Sequence, residues 1–330
     1  MERVDLDDLD RGLVHALQLD GRAPFRRLGE VLGASDQTIA RRYARLRAAR
    51  GLRVLGLTDP RWLSGPSWAL RLRAAPEAAA QIANALARRP DTSWVSLCSG
   101  ATEIFAAVEG AGVNALLLEV LPRTRHVRDV RAELVLNVFD GGAGRPYTKC
   151  GPLDGAQVAH LRAHLPEPGG SPTSLSSVDR QLLASLSRDG RAPVEELCGA
   201  AGVSAGTARR RVHELRVGGV LHVDVDVDLA LFDRPVRSLV WLTVAAGALD
   251  AVGGALASHV EVAYAAATTG RANVVASVST RDTAALYRYA SGELGGLAGV
   301  AEVEIAPVVR HVKAVVTQDQ VLRRPVPPPR

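Results

Sequence analysis

The chain has 330 residues, 47% of them apolar and 23% charged, so it can bury ordinary cores and is not a disordered chain. Its longest uncharged apolar run, Ser238–Leu249, has 12 residues, too short to span a bilayer, and the acidic start Met1–Asp8 does not read as a secretory leader. A cytoplasmic protein with no membrane partner is expected; three scattered cysteines, Cys98, Cys150 and Cys198, exclude a disulfide scaffold or a cysteine zinc site, and the net charge of +5 is carried almost wholly by arginine.

From the N-terminus, apolar residues at 6, 9, 13, 14 and 17 repeat with the period of a helix. Asp20-Gly-Arg-Ala-Pro24 is a turn, with Pro24 opening a second helix where its missing N–H costs nothing. That helix ends at Gly33, a left-handed cap, and Ser35 is placed to accept an orphan N–H of a third helix. The third helix buries Ile39, Tyr43 and Leu46 and turns Gln37, Thr38, Arg41, Arg42 and Arg45 outward. Two short helices, a tight turn and a third helix with a basic face make a helix-turn-helix. Arginines there can pair bidentately with guanine or with phosphates, and Gln37 suits adenine.

A second kind of unit follows. Leu52–Leu57 reads as a linking strand. Trp68–Arg73, Glu77–Arg89, Trp94–Ser99, Glu103–Glu109, Val113–Leu121 and Val127–Val138 then alternate as strand, helix, two strands, helix and strand. Leu165–Ser177 is dense in Pro, Gly and Ser and reads as a linker.

Beyond it the chain repeats. Aligning 6–54 with 175–223 without a gap gives 20 identities in 49 positions, including Asp189-Gly-Arg-Ala-Pro193, Gly202, Ser204, Thr207, Arg210 and Arg211. The second third helix also carries Arg209, but has Ala205-Gly206 for Asp36-Gln37 and Glu214 for Arg45. Its repertoire for reading bases is poorer, so it is expected to contribute backbone contacts more than sequence choice. After a linking strand at Leu221–Leu229, the βαββαβ order returns as Ser238–Val244, Ala248–Ser258, Val260–Thr268, Asn273–Ser279, Thr283–Leu294 and Val300–Ile305, with one more strand at Val308–Val315.

The expected fold is α+β: two winged-helix-like helix-turn-helix domains alternating with two ferredoxin-like βαββαβ domains. The spans are 1–56 and 57–149 for the first pair, 150–174 for the linker, 175–223 and 224–318 for the second pair, and 319–330 for a Pro-rich tail.

A helix-turn-helix reading D-G-R-x-P…L…G-x-S…T…R-R…L, joined to a βαββαβ unit with a glycine in its central hairpin, resembles the Lrp/AsnC (feast/famine) regulators, whose sheet unit is the RAM domain. The resemblance covers nearly the whole chain, twice over, as a tandem fusion. It implies a transcriptional regulator whose partners are double-stranded DNA and a small effector, an amino acid or related metabolite. It also implies assembly through the RAM units, as a homo-oligomer or an intramolecular pseudo-dimer. On that reading Ser35, Gln37, Thr38, Arg41, Arg42, Arg45, Ser204, Thr207, Arg209, Arg210 and Arg211 face DNA. The family's G-x-x-D/N hairpin step corresponds to Gly100-Ala-Thr102-Glu103 and Gly270-Arg-Ala272-Asn273, which mark the effector site. Glu103 departs from that pattern in length.

Rival readings are weaker. Gly202-Val-Ser204-Ala-Gly206 matches a nucleophile elbow, but the segment before it is helical in pattern, and that motif needs a strand. His160 and His164 are four apart with no third ligand near. Sirohaem decarboxylases share the tandem architecture and are the alternative function. Their expected histidines are represented only by His126, His259 and His311, at positions the copies do not share. No catalytic residue, cofactor or metal is expected.

Overall fold

The computed structural model describes residues 6–49, 52–59, 62, 65–110, 112–141, 151–166, 169, 174–227 and 232–313. The expected tail at 319–330 and residues 167, 168 and 170–173 of the Pro- and Gly-rich linker stretch lie outside them. The chain forms two compact units that do not follow its order: one holds 1–62 and 141–232, the other 63–140 and 233–330.

The first unit gathers both helix-turn-helix segments. Helices α1 (Asp8–Leu19), α2 (Phe25–Leu32) and α3 (Asp36–Ala48) repeat as α7 (Ser177–Leu186), α8 (Val194–Ala201) and α9 (Ala205–Val217). Gly33 and Gly202 close α2 and α8 at φ 66° and 64°, where a Cβ would be strained. Leu13, Leu17, Leu28, Ile39 and Leu46 are buried in the first core, and Leu182, Leu186, Leu197, Ala208 and Leu215 in the second. The linking strands, β1 (Leu52–Thr58) and β6 (Leu221–Val227), do not run to the sheets. They pair antiparallel with each other, Leu55 opposite Asp224, and join the two copies. Inside the span read as a linker, α6 (Gly155–Arg162) is a capped helix. Its Leu161 is fully buried in the first core, and its Gln157 donates to the Val31 carbonyl at 2.7 Å.

The second unit is an eight-stranded closed barrel in the order β10-β3-β4-β2-β5-β8-β9-β7. The first copy supplies β2 (Ser67–Ala74), α4 (Pro76–Ala87), β3 (Thr92–Cys98), β4 (Glu103–Glu109), α5 (Val113–Ala115) and β5 (Val127–Asp140). The second supplies β7 (Val236–Val244), α10 (Leu249–Ser258), β8 (Val262–Thr268), β9 (Val274–Thr280), α11 (Thr283–Arg288) and β10 (Val300–Lys313). Each copy packs its helices on one face of its sheet, around Leu70, Ile104 and Leu116 in one and Val240, Val274 and Leu294 in the other. The opposite faces meet around Phe105, Trp241, Ala266 and Val275.

The two strands expected at 300–305 and 308–315 are one. β10 pairs with β7 as far as Pro307, then with β3 of the other copy from Val308 onward. β5 does the same, pairing with β2 and then, from Val135, with β8. Proline has no N–H to give a ladder, so it sits at the change of partner. These two long strands close the barrel and leave neither sheet with a free edge.

Candidate nucleic-acid interface

The third helices are built alike. Ser35 Oγ accepts the Thr38 N–H at 3.1 Å and lies 2.9 Å from the Thr38 hydroxyl; Ser204 and Thr207 repeat this at 3.2 and 3.0 Å. Ser35 and Ser204, expected on the DNA-facing surface, thus serve as exposed caps that start α3 and α9, and the half-buried Thr38 and Thr207 hydroxyls bond to them. Ser204 follows helix α8 rather than a strand, which removes the nucleophile-elbow reading.

The arginines divide into two groups. Asp10 and Asp179, at matching positions of α1 and α7, are fully buried. Arg42 reaches Asp7 at 2.6 Å and Asp10 at 3.0 Å, Arg45 reaches Asp10, and Arg211 reaches Asp179 at 2.6 Å. Burial alone would raise the Asp179 carboxyl; the Arg211 and Ser176 hydrogen bonds outweigh it and hold it below the usual carboxylate range. Arg42 and Arg211 are therefore struts between the first and third helices, a task the sequence pattern did not assign them. Arg41 and Arg209 are exposed and make no ion pair among the described residues, and Gln37 is exposed beside Arg41. Arg210 is exposed but leans on Glu214 at 2.8 Å, the residue that replaces Arg45 in the second copy.

The Asp-Gly-Arg-Ala-Pro turns do more than turn. Arg191 donates to the Gly21 and Ala23 carbonyls at 2.8 and 3.0 Å, and Arg22 donates to those of Gly190 and Ala192. Arg47 pairs with Asp189 at 2.7 Å, and its counterpart Arg216 with Asp20 at 3.2 Å. The two helix-turn-helix copies are thus fastened by reciprocal contacts of a duplicated motif. The signal was legible in the repeat itself, since a turn alone does not require both an Asp and an Arg.

The hairpin residues expected to hold an effector are largely committed within the chain. Gly100 and Gly270 adopt φ 71° and 101°, and the Thr102 hydroxyl donates to the Ser99 carbonyl at 2.9 Å. Glu103 is buried and accepts from Arg71 at 2.8 Å. Arg71 also pairs with Glu304 and lies 5.2 Å over the Trp241 ring. Asn273 spends its amide on Val244, accepting its N–H and donating to its carbonyl, both at 2.8 Å. The Ala272 carbonyl is 3.3 Å from the Thr268 hydroxyl. Histidines 160 and 164 lie together on α6 and the turn after it, and no group of three or more His, Cys, Asp or Glu is placed for a metal ion among the described residues.

Comparison with known proteins agrees with this anatomy. The AsnC-type helix-turn-helix domain model matches residues 6–47 and 175–216, and the Lrp/AsnC ligand binding domain model matches 237–316. The HTH-type transcriptional regulator FL11 of Pyrococcus horikoshii is 25% identical over 128 residues, 38% of this chain and 85% of that protein. An uncharacterized HTH-type transcriptional regulator of Pyrococcus abyssi is 23% identical over 150 residues, 44% of this chain and 95% of that protein. Among solved structures, the siroheme decarboxylase NirDL covers 96% of this chain and 97% of its own, with TM-score 0.62 and 15% identity. That likeness is one of fold. The architecture is a pair of helix-turn-helix domains combined with a pair of βαββαβ sheets, the second of which is matched by the ligand binding domain model. The chain belongs to the Lrp/AsnC family, as a tandem duplication of its helix-turn-helix and RAM unit. No helix among the described residues is long and apolar enough to cross a membrane.

Proposed function

We propose that this chain is a transcriptional regulator that reads duplex DNA through two non-identical third helices held by one polypeptide. The observation carrying this reading is that each third helix of a matched helix-turn-helix keeps an exposed arginine without an ion-pair partner among the described residues, Arg41 on α3 and Arg209 on α9. Gln37 and Arg41 supply base readout from the first copy, and Arg209 and Arg210 supply mainly phosphate contacts from the second. Fluorescence anisotropy on DNA upstream of the gene, against a scrambled duplex across a salt series, tests it. Tighter binding to the native fragment is expected, falling about a thousandfold from about 50 to about 200 mM salt if roughly six phosphates are contacted. Equal binding to both duplexes would remove sequence-specific reading of this fragment.

The RAM pair would sense an amino acid or related metabolite around the Gly100 and Gly270 hairpins. With Glu103 and Asn273 engaged, backbone groups there would supply the polar contacts. Calorimetry with the standard amino acids tests this, and absence of heat from all of them would remove it. A second reading, tetrapyrrole decarboxylation, is favoured by the likeness to NirDL over nearly the full length of both chains. Titration with sirohaem decides: unchanged absorbance would end it, and saturable change with loss of carbon dioxide would replace the regulator reading.

A further inference from the structure

The two helix-turn-helix copies also differ in the packing of one aromatic pair. In the first, Phe25 and Tyr43 pack with ring centroids 5.4 Å apart. The Arg191 guanidinium lies over them, 4.5 Å from the Phe25 centroid and 5.4 Å from that of Tyr43. The repeat alignment places Val194 and Val212 where these rings stand and Arg22 where Arg191 stands. Arg22 is anchored as Arg191 is, by the carbonyls at the facing turn, but shares the border of a cleft with the two valines instead of covering two rings.

Where the first copy has the rings, the second has an open cleft of about 250 Å³, floored by Val194, Leu197 and Val212 and bordered by Arg22, Arg209, His213 and Arg216. That volume has room for a substituted or two-ring aromatic lying against the valine floor with one side open to solvent. The border is cationic, and two of its residues belong to this copy alone: Arg209 and His213 replace Ala40 and Ala44 of the first. Arg216 is occupied by Asp20, whereas Arg209 makes no ion pair among the described residues. Loss of two aromatics and gain of two basic groups at the same spot is the pattern of a recognition pocket, not of random erosion of a core.

We propose that this pocket binds a small flat aromatic carboxylate, its ring occupying the place of the Phe25 and Tyr43 rings beneath Arg22 and its carboxylate taken by Arg209 and His213. The chemistry on each side is matched: a guanidinium face attracts a π-system, and a guanidinium fork donates two hydrogen bonds to a carboxylate. Because Arg209 lies on α9, occupancy would also withdraw a cation from that helix's exposed face.

Calorimetry of the full chain with benzoate, indole-3-carboxylate and uncharged indole, without DNA, tests the proposal. Saturable binding of at least one of the acids is expected, at least tenfold tighter than indole. Val194→Phe with Val212→Tyr rebuilds the first copy's ring pair and should abolish the heat without lowering the melting temperature. Should that variant fail to fold, Arg209→Ala with His213→Ala, both at exposed positions, should weaken the acid at least tenfold and leave indole unchanged. No saturable heat from either acid at millimolar concentration, or equal binding by the wild type and these variants, would overturn the site. Neither result depends on whether the chain reads DNA.

Discussion

Asp10 and Asp179 decide what the arginines two helices away can do. A carboxylate with no exposed surface must be paired, and removing its partner leaves an uncompensated buried charge costing about 3 kcal/mol or more. Arg211→Ala should therefore lower the melting temperature, whereas Arg41→Ala should leave it unchanged and weaken DNA binding with a shallower salt slope. Differential scanning calorimetry and anisotropy on both variants check this; equal melting temperatures would remove the strut assignment. The periodicity of α3 puts Arg41, Arg42 and Arg45 on one basic face, but it holds no information about a partner about thirty residues earlier in the chain. Asp224 is the converse case. Partly buried on β6, its carboxyl is pushed up to about 6 by desolvation, against one hydrogen bond from the Val225 N–H. The folded state thus holds this proton more tightly than the unfolded chain. Its contribution is fully present below the ordinary carboxylate pKa, near pH 4, and is lost as pH rises through about 6. Asp224→Asn should raise stability by about 1–2 kcal/mol at pH 7, less than the full shift implies because water reaches the group, and by nothing near pH 4. Urea melts at the two pH values read it; a gain at pH 4 equal to that at pH 7 would reject the assignment.

At the scale of elements, period and punctuation located most of the molecule. The helix-turn-helix helices, their caps and the βαββαβ order all follow from apolar spacing and from Gly, Pro and Ser placement. Pairing partners did not follow. β1 and β6 read as connectors because strand pattern gives a buried face and not a neighbour, and β10 read as two strands because that pattern does not show one strand changing partner at Pro307. The hairpin Asn273 shows the same limit. A short amide after a glycine looks available to a ligand, yet here it completes the edge between β7 and β9 through the Val244 N–H and carbonyl. Asn273→Ala would strand both groups and should cost about 1–3 kcal/mol, visible as faster hydrogen exchange in β7. A variant with unchanged stability and exchange, but with an amino-acid heat lost, would return Asn273 to the effector site.

For the whole molecule, duplication within one chain changes what assembly means. Strands β5 and β10 each pair across the copies, and the Arg22 and Arg191 turns fasten the helix-turn-helix pair. Contacts that a dimer would make between chains are made here without the entropy cost of association, so the helix-turn-helix pairing cannot be lost by dilution. The copies were then free to diverge, and they have: Gln37 against Gly206, Arg45 against Glu214, and Phe25 with Tyr43 against two valines. A regulator built this way should bind its operator with one chain per two half-sites at any protein concentration above the Kd. One half-site should be strict in sequence and the other tolerant. Footprinting with base substitutions across the operator, alongside the stoichiometry from calorimetry, measures both. Mutating the half-site read by α3 should cost about 1–3 kcal/mol per base pair, and Arg41→Ala should erase that discrimination. Mutating the other half-site should cost little, because phosphate contacts from Arg209 and Arg210 do not depend on the bases. If both half-sites prove equally strict, or if two chains occupy one operator, the divergence of the copies has not been turned to asymmetric reading.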